Sequence, residues 1–282
     1  MTDPAGSDLE TGVTVEFSSS EVRERLPAAP DEGLRSQLPG LEPDRRVTDW
    51  GRSQRLEAAV DRTVYGFLYN YWFRVEVEGV ENVPGDGGAL LIANRAGTVA
   101  ADAAMIAKAV REEHPRRRAV HVASERTFKR LPGIGMLATK IGAVSTHPAN
   151  LQRLLFDERE LVLVFPEGLK GSRKPLKERY RLREFDARLL DAARRAHVPV
   201  VPIAVIGGEE SSPAIGRIGP LRRIPPLPLG PALPLPAKFR LRFLEPIDPG
   251  TFTSPQLAHE LRGLLQENVL EMVAARRSVW LG

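Results

Sequence analysis

The 282-residue chain is 42% apolar and 27% charged, an ordinary composition for a folded protein with enough apolar side chains to bury a core. It contains no cysteine, which excludes a disulfide framework and any thiolate nucleophile and accords with a cytoplasmic location. The formal net charge of +4 conceals an uneven distribution, because residues 1–50 carry 11 acidic and 5 basic side chains and the remainder 25 and 35.

That basic surplus favours anionic partners such as lipid headgroups or coenzyme phosphates. Nucleic acid fits less well: the sequence has no basic helix with base-reading spacing and no zinc-ligand spacing, so no metal is expected either. The opening residues MTDPAGSDLE have neither a basic start nor an apolar run, so no secretory signal is expected.

In chain order, residues 1–48 mix Pro, Gly, Ser and acidic residues without a sustained period and read as a flexible acidic leader. Residues 49–282 read as one domain. A helical pattern begins at Ser53, with Leu56, Val60, Val64, Phe67, Leu68 and Tyr71 on one stripe and Tyr65, Tyr69 and Trp72 broadening it. Two readings of this helix stand side by side, one packing it on the core and the other resting its aromatic end in a membrane interface between Arg62 and Arg74. Its uncharged stretch, Thr63 to Phe73, is eleven residues long and too short to span a bilayer.

Strands and helices then alternate: strands at Val75–Val80 and Ala89–Ala93, a helix at Asp102–Glu113 that Asp102 can cap, and a strand at Ala119–Ala123. A mixed segment through Lys140 follows, then a helix near Asn150–Phe156, the strand Leu161–Phe165, the helix Phe185–Ala196 and the apolar run VPVVPIAVIG. The proline-rich segment GPLRRIPPLPLGPALPLP, residues 219–236, is expected to hold no secondary structure. A strand at Phe239–Phe243 and a last helix, capped by Ser254 with Pro255 at its first position and striped by Leu257, Leu261, Leu264, Leu265 and Met272, complete the chain. This alternation predicts an α/β fold, with a largely parallel central sheet flanked by helices.

Two polar turns carry the chemistry. The strand Leu161–Phe165 runs into Pro166, which cannot continue the ladder, then Glu167 and Gly168, so a carboxylate is presented where a buried strand ends. Lys170, Arg173 and Lys174 follow and suit an anionic ligand such as a phosphate ester, although a solvated basic turn would have the same composition. The second turn, ANRAGTVAAD, leaves the strand Ala89–Ala93 through Asn94 and Arg95 and reaches Asp102. In open α/β sheets such strand-end turns are where ligands collect.

The order of LLIANRAGTVAAD, FKRLPGIGMLATKIGAVS, VFPEGLKGSRKP and VPIAV resembles the glycerolipid acyltransferases, the lysophosphatidic acid acyltransferase-like family, over roughly residues 50 to 250. The resemblance implies transfer of an acyl chain from acyl-CoA or acyl carrier protein to a hydroxyl of a lysophospholipid or glycerol phosphate at the inner face of the cell membrane, without a cofactor. It also implies a catalytic pair in the first block, a histidine acting as general base and a carboxylate that orients it. The carboxylate maps onto Asp102. Glu167 maps onto the glutamate of the third block, in the turn Phe165, Pro166, Glu167, Gly168. Lys170, Arg173 and Lys174 are implied phosphate contacts, and the middle block, with Pro132, Gly133, Gly135 and Gly142, is implied to line the acceptor side.

The sequence departs from the family at the base, where Arg95 stands in place of histidine. A guanidinium stays protonated and offers only donors, so it cannot take the hydroxyl proton. An ion pair of Arg95 with Asp102 is one way the pocket could keep its shape. Of the histidines, only His121 sits on a strand near the site. Three outcomes follow: a silent member that binds lipid or acyl-CoA, a member whose chemistry rests on substrate positioning, or a partner subunit of an active enzyme. A scaffold role is a further alternative, supported by the proline-rich loop and the leader.

Overall fold

Unbroken apolar runs with no polar residue to face water can only be central strands, and they fix the middle of the sheet. The computed structural model describes residues 48, 50–95, 101–124, 134–172, 174, 178–212, 216–218, 227–229 and 234–278, within a compact unit spanning Arg46–Gly282. The expected leader therefore lies, except for Thr48, outside the described residues.

The strands are β1 (Glu76–Glu78), β2 (Ala89–Ala93), β3 (Val120–Ser124), β4 (Ala143–Ser145), β5 (Leu161–Val164), β6 (Val200–Ile206), β7 (Gly216–Ile218), β8 (Leu227–Leu229) and β9 (Arg240–Phe243). Seven form one sheet in the order β1-β9-β6-β2-β5-β3-β4, and β7 and β8 pair separately. From β6 to β4 all neighbours are parallel, whereas β9 runs antiparallel to β6 and carries β1 parallel to itself. Every residue of β2, β5 and β6 is buried, as two covered faces require.

The helices are α1 (Gln54–Val60), α2 (Ala101–Glu113), α3 (Ile134–Lys140), α4 (Pro148–Gln152), α5 (Gly168–Gly171), α6 (Ala187–Ala196), α7 (Gly208–Ser211) and α8 (Ser254–Ala274). Alternation along β2 sends Leu90 and Ile92 to one core with Leu154, Leu190, Leu261 and Leu265, under α6 and α8. Ala89, Leu91 and Ala93 go to the other core, with Met105, Ile106 and Phe73, under α2 and the segment following α1. The layers are thus helix, sheet, helix. Each buried Leu or Ile contributes roughly 1.5–3 kcal/mol, so the strand order is strongly specified.

Several local expectations are corrected. The helix after Ser53 continues past α1 as two π-helical stretches, Asp61–Tyr65 and Leu68–Trp72. Their wider turns rotate the apolar stripe away from the core, so Val64, Phe67 and Tyr71 are exposed while Tyr69 and Phe73 are buried. The strand expected over Val75–Val80 shrinks to β1, because Gly79 turns the chain at φ 71 into a 3-10 turn, Val80–Asn82. The mixed segment before Lys140 leads into β4, a strand too short to carry a pattern. β8 lies in the proline-rich segment, where an isolated two-stranded ribbon tolerates proline.

Asp102 lies inside the first turn of α2, its Oδ1 accepting from Ala103 N at 2.8 Å. The cap of α8 is Thr253, one residue before the expected Ser254, because Thr253 is extended and its N–H donates to Gln256 Oε1 at 3.0 Å.

Candidate functional site

Three adjacent strands, β5, β2 and β6, end side by side, and the residues leaving them build the site. Asn94 continues β2 by one step with its side chain: Nδ2 donates to Val205 O at 2.9 Å and Val205 N donates to Oδ1 at 2.8 Å. This amide, buried with both groups satisfied, sets the direction in which Arg95 leaves the sheet.

Glu167, at the end of β5, is buried with no side-chain exposure to solvent. Its Oε1 accepts from Arg95 N at 2.8 Å, and its Oε2 from Arg183 N at 2.8 Å and Lys174 Nζ at 3.0 Å. Lys174 is buried too and reaches Arg95 O at 3.3 Å and Glu209 Oε1 at 3.3 Å, with Glu209 in α7 after β6. Tyr180 N donates to Glu209 Oε2 at 2.7 Å. One ammonium thus pairs with two carboxylates from two strand ends. Burial pushes the Glu209 carboxyl above the usual carboxylate range, with Lys174 opposing that rise and Glu167 adding to it.

The Arg95 side chain is 9% exposed and lies at the cavity wall. Its Nε donates to Ser172 Oγ at 2.9 Å, and its guanidinium carbon stands 4.8 Å from the centre of the Phe165 ring. Among the described residues its guanidinium partners are Ser172 and Phe165, and it forms no ion pair with Asp102. Gly171 permits this arrangement. A Cβ there would stand 2.6 Å from Arg95 Cβ and 2.9 Å from Glu167 Cβ, so only glycine lets α5 pass so close.

Arg95, Phe165, Pro166, Glu167, Gly168 and Lys170 line one cavity of about 1020 Å³, so Arg95 after β2 and the turn after β5 share one space. Asp102, fully buried, and Lys174 do not line it, and Arg173 lies outside the described residues. His121 does not line the cavity, although Val120, Val122 and Ala123 of the same strand do. Burial, helped by the charge of Arg52, lowers its pKa to about 4, and among the described residues its Nδ1 has no hydrogen-bond partner. Sequence reasoning gave no role to Ser172, Arg183 or Glu209; of these only Ser172 stood in a quoted motif, VFPEGLKGSRKP.

An α/β sheet with a buried carboxylate hub and an amphipathic cavity at its strand ends defines the class. A family model described as Acyltransferase matches residues 74–206. An uncharacterized protein of Mycobacterium tuberculosis is 35% identical over 280 residues, covering 92% of this chain and 77% of the relative. Another, of Mycobacterium leprae, is 34% identical over 292 residues, covering 96% and 78%. The crystal structure of the 1-acyl-sn-glycerophosphate acyltransferase from Thermotoga maritima matches at a TM-score of 0.55 with 23% identity, over 79% of this chain and 80% of that one, and so shares the fold. The chain belongs to the acyltransferase family.

Replacing Lys174 with Met leaves two buried carboxylates without a counter-ion and is expected to cost ~3–5 kcal/mol. A carboxyl whose folded pKa is raised favours the native state at low pH and loses that contribution as pH rises above its unfolded value. Without Lys174 this loss deepens, so urea unfolding should show a larger deficit at about pH 8 than at about pH 5. An equal deficit at both would contradict the pairing.

Proposed function

We propose that this protein binds an acyl thioester, acyl-CoA or acyl-ACP, or a lysophospholipid in the strand-end cavity, and does not transfer the acyl chain by general-base catalysis. The observation that carries this reading is the side chain at position 95: a guanidinium at the cavity wall, donating to Ser172 and stacked near Phe165. It cannot accept the acceptor hydroxyl's proton at any ordinary pH. Lys170, an exposed residue of the cavity lining, is the phosphate contact this reading favours; Arg188, also in the lining, is paired with Asp186 at 2.7 Å. Lys174 serves instead as counter-ion to Glu167 and Glu209. Asp102, buried in the first turn of α2, accepts from Ala103 N.

Attachment to the inner face of the cell membrane belongs to the same proposal. Among the described residues no helix is long and apolar enough to cross a membrane. The segment after α1 instead presents Val64, Phe67 and Tyr71 to solvent, with Phe67 6.2 Å from Tyr71 and 6.0 Å from Trp72 between ring centres. Arg62 and Arg74, exposed at either side, suit anionic headgroups. The opposite side of this segment, through Asp61 and Tyr65, lines the cavity. Membrane contact and ligand entry would therefore share one element.

Arg95→His tests the catalytic reading. The wild type is expected to show at least ~10²-fold slower lysophosphatidate-dependent palmitoyl-CoA consumption than the variant; a wild type as fast as Arg95→His would overturn it. For the membrane, the double variant Phe67→Ser, Tyr71→Ser should no longer float with anionic liposomes while keeping its circular dichroism spectrum. Undiminished flotation would remove the attachment site.

A further inference from the structure

The cavity continues well away from the strand ends. Ala103, Ala107 and Arg111 lie four residues apart along one side of α2 and all line it. Over roughly 12 Å of helix the wall therefore changes from methyl groups to a guanidinium. Val120 and Val122 of β3, with Ile141, supply apolar wall in between.

The far end is charged but internally balanced. Arg111 Nη1 meets Asp61 Oδ1 at 3.1 Å and Arg111 Nη2 binds Glu57, which Arg52 holds from its other side. Lys108 Nζ meets Asp61 Oδ2 at 3.3 Å and Glu112 Oε1 at 2.6 Å. Of these, Glu57, Asp61, Lys108 and Arg111 line the cavity, two acids against two bases. The Arg52 and Arg111 partners outweigh the large burial penalty on Glu57 and hold it below the usual carboxylate range, so it is an acceptor at neutral pH.

Tyr65 lines the same end, half-buried, and among the described residues its hydroxyl makes no hydrogen bond. Burial first, then the charges of Asp61 and Glu57, raise its pKa, so it remains a neutral phenol able to donate.

A hydrocarbon chain ending here would displace water from four charged groups and return no hydrogen bond, which is unfavourable. A charged terminus would meet a wall with no net charge to receive it. A neutral hydroxyl satisfies both conditions, donating to a carboxylate oxygen and accepting from the phenol. We propose that the floor of the cavity, built from Tyr65, Asp61 and Glu57, is a subsite for a hydroxyl group near the distal end of the acyl chain. This rests on the reading that the cavity takes an acyl ligand.

The test is calorimetric titration of the full chain with decanoyl-, dodecanoyl- and tetradecanoyl-CoA and their ω-hydroxy counterparts, repeated with Tyr65→Phe. At the length that reaches the floor, the hydroxylated thioester should bind about 10-fold tighter than its unsubstituted match, as a hydrogen bond to a charged group gives. Tyr65→Phe should shrink that preference by bringing the hydroxylated ligand toward the unsubstituted one. Equal or tighter binding of the unsubstituted chain at every length overturns the subsite alone. Failure of every thioester to bind overturns the subsite together with the acyl-thioester reading on which it rests.

Discussion

The Glu167 carboxylate is the constraint around which the strand ends are arranged. A carboxylate with no exposure must be neutralised and its lone pairs satisfied, or it costs several kcal/mol. Here the donors come from three places in the chain: the amide of Arg95 after β2, the amide of Arg183 beyond α5, and the ammonium of Lys174. Lys174 then brings in Glu209 after β6. One buried charge thereby fixes the relative positions of three strand-end segments, and Gly171 supplies the space for them to meet.

Glu167 is held by the backbone amide of residue 95, not by its side chain. Any residue other than proline supplies that amide, so the side chain at this position can change without dismantling the hub. This is why the cavity persists around a guanidinium that cannot act as a base. A guanidinium offers no proton acceptance, and the cavity beside it has apolar wall from Ala103, Ala107, Val120 and Val122 and charged wall from Glu57, Asp61, Lys108 and Arg111.

Much of this was legible in the sequence because it is carried by period and punctuation. The runs Ala89–Ala93, Leu161–Phe165 and VPVVPIAVIG read as buried strands, and Arg95 after the first shares one cavity with the turn after the second. The stripe from Leu56 to Tyr71 left two readings open, and the exposure of Val64, Phe67 and Tyr71 departs from the core-packed one, because π-helical turns change the residues per turn and nothing in residue spacing announces that. The pairing of Lys174 with Glu209 and of Arg111 with Asp61 joins residues far apart in the chain, so no local pattern could reveal it. Arg95 was legible as a departure, but its anchoring to Ser172 is a matter of three-dimensional packing.

The central claim is that the side chain at position 95 cannot serve as a general base. The most direct measurement is the pH dependence of thioester cleavage by the wild-type protein in the presence of lysophosphatidate, from about pH 5 to about pH 9. The account predicts a residual rate that follows hydroxide concentration without an inflection in the histidine range near ~6.5. A plateau governed by a group titrating in that range, accompanied by acyl transfer to the lysolipid, would contradict it.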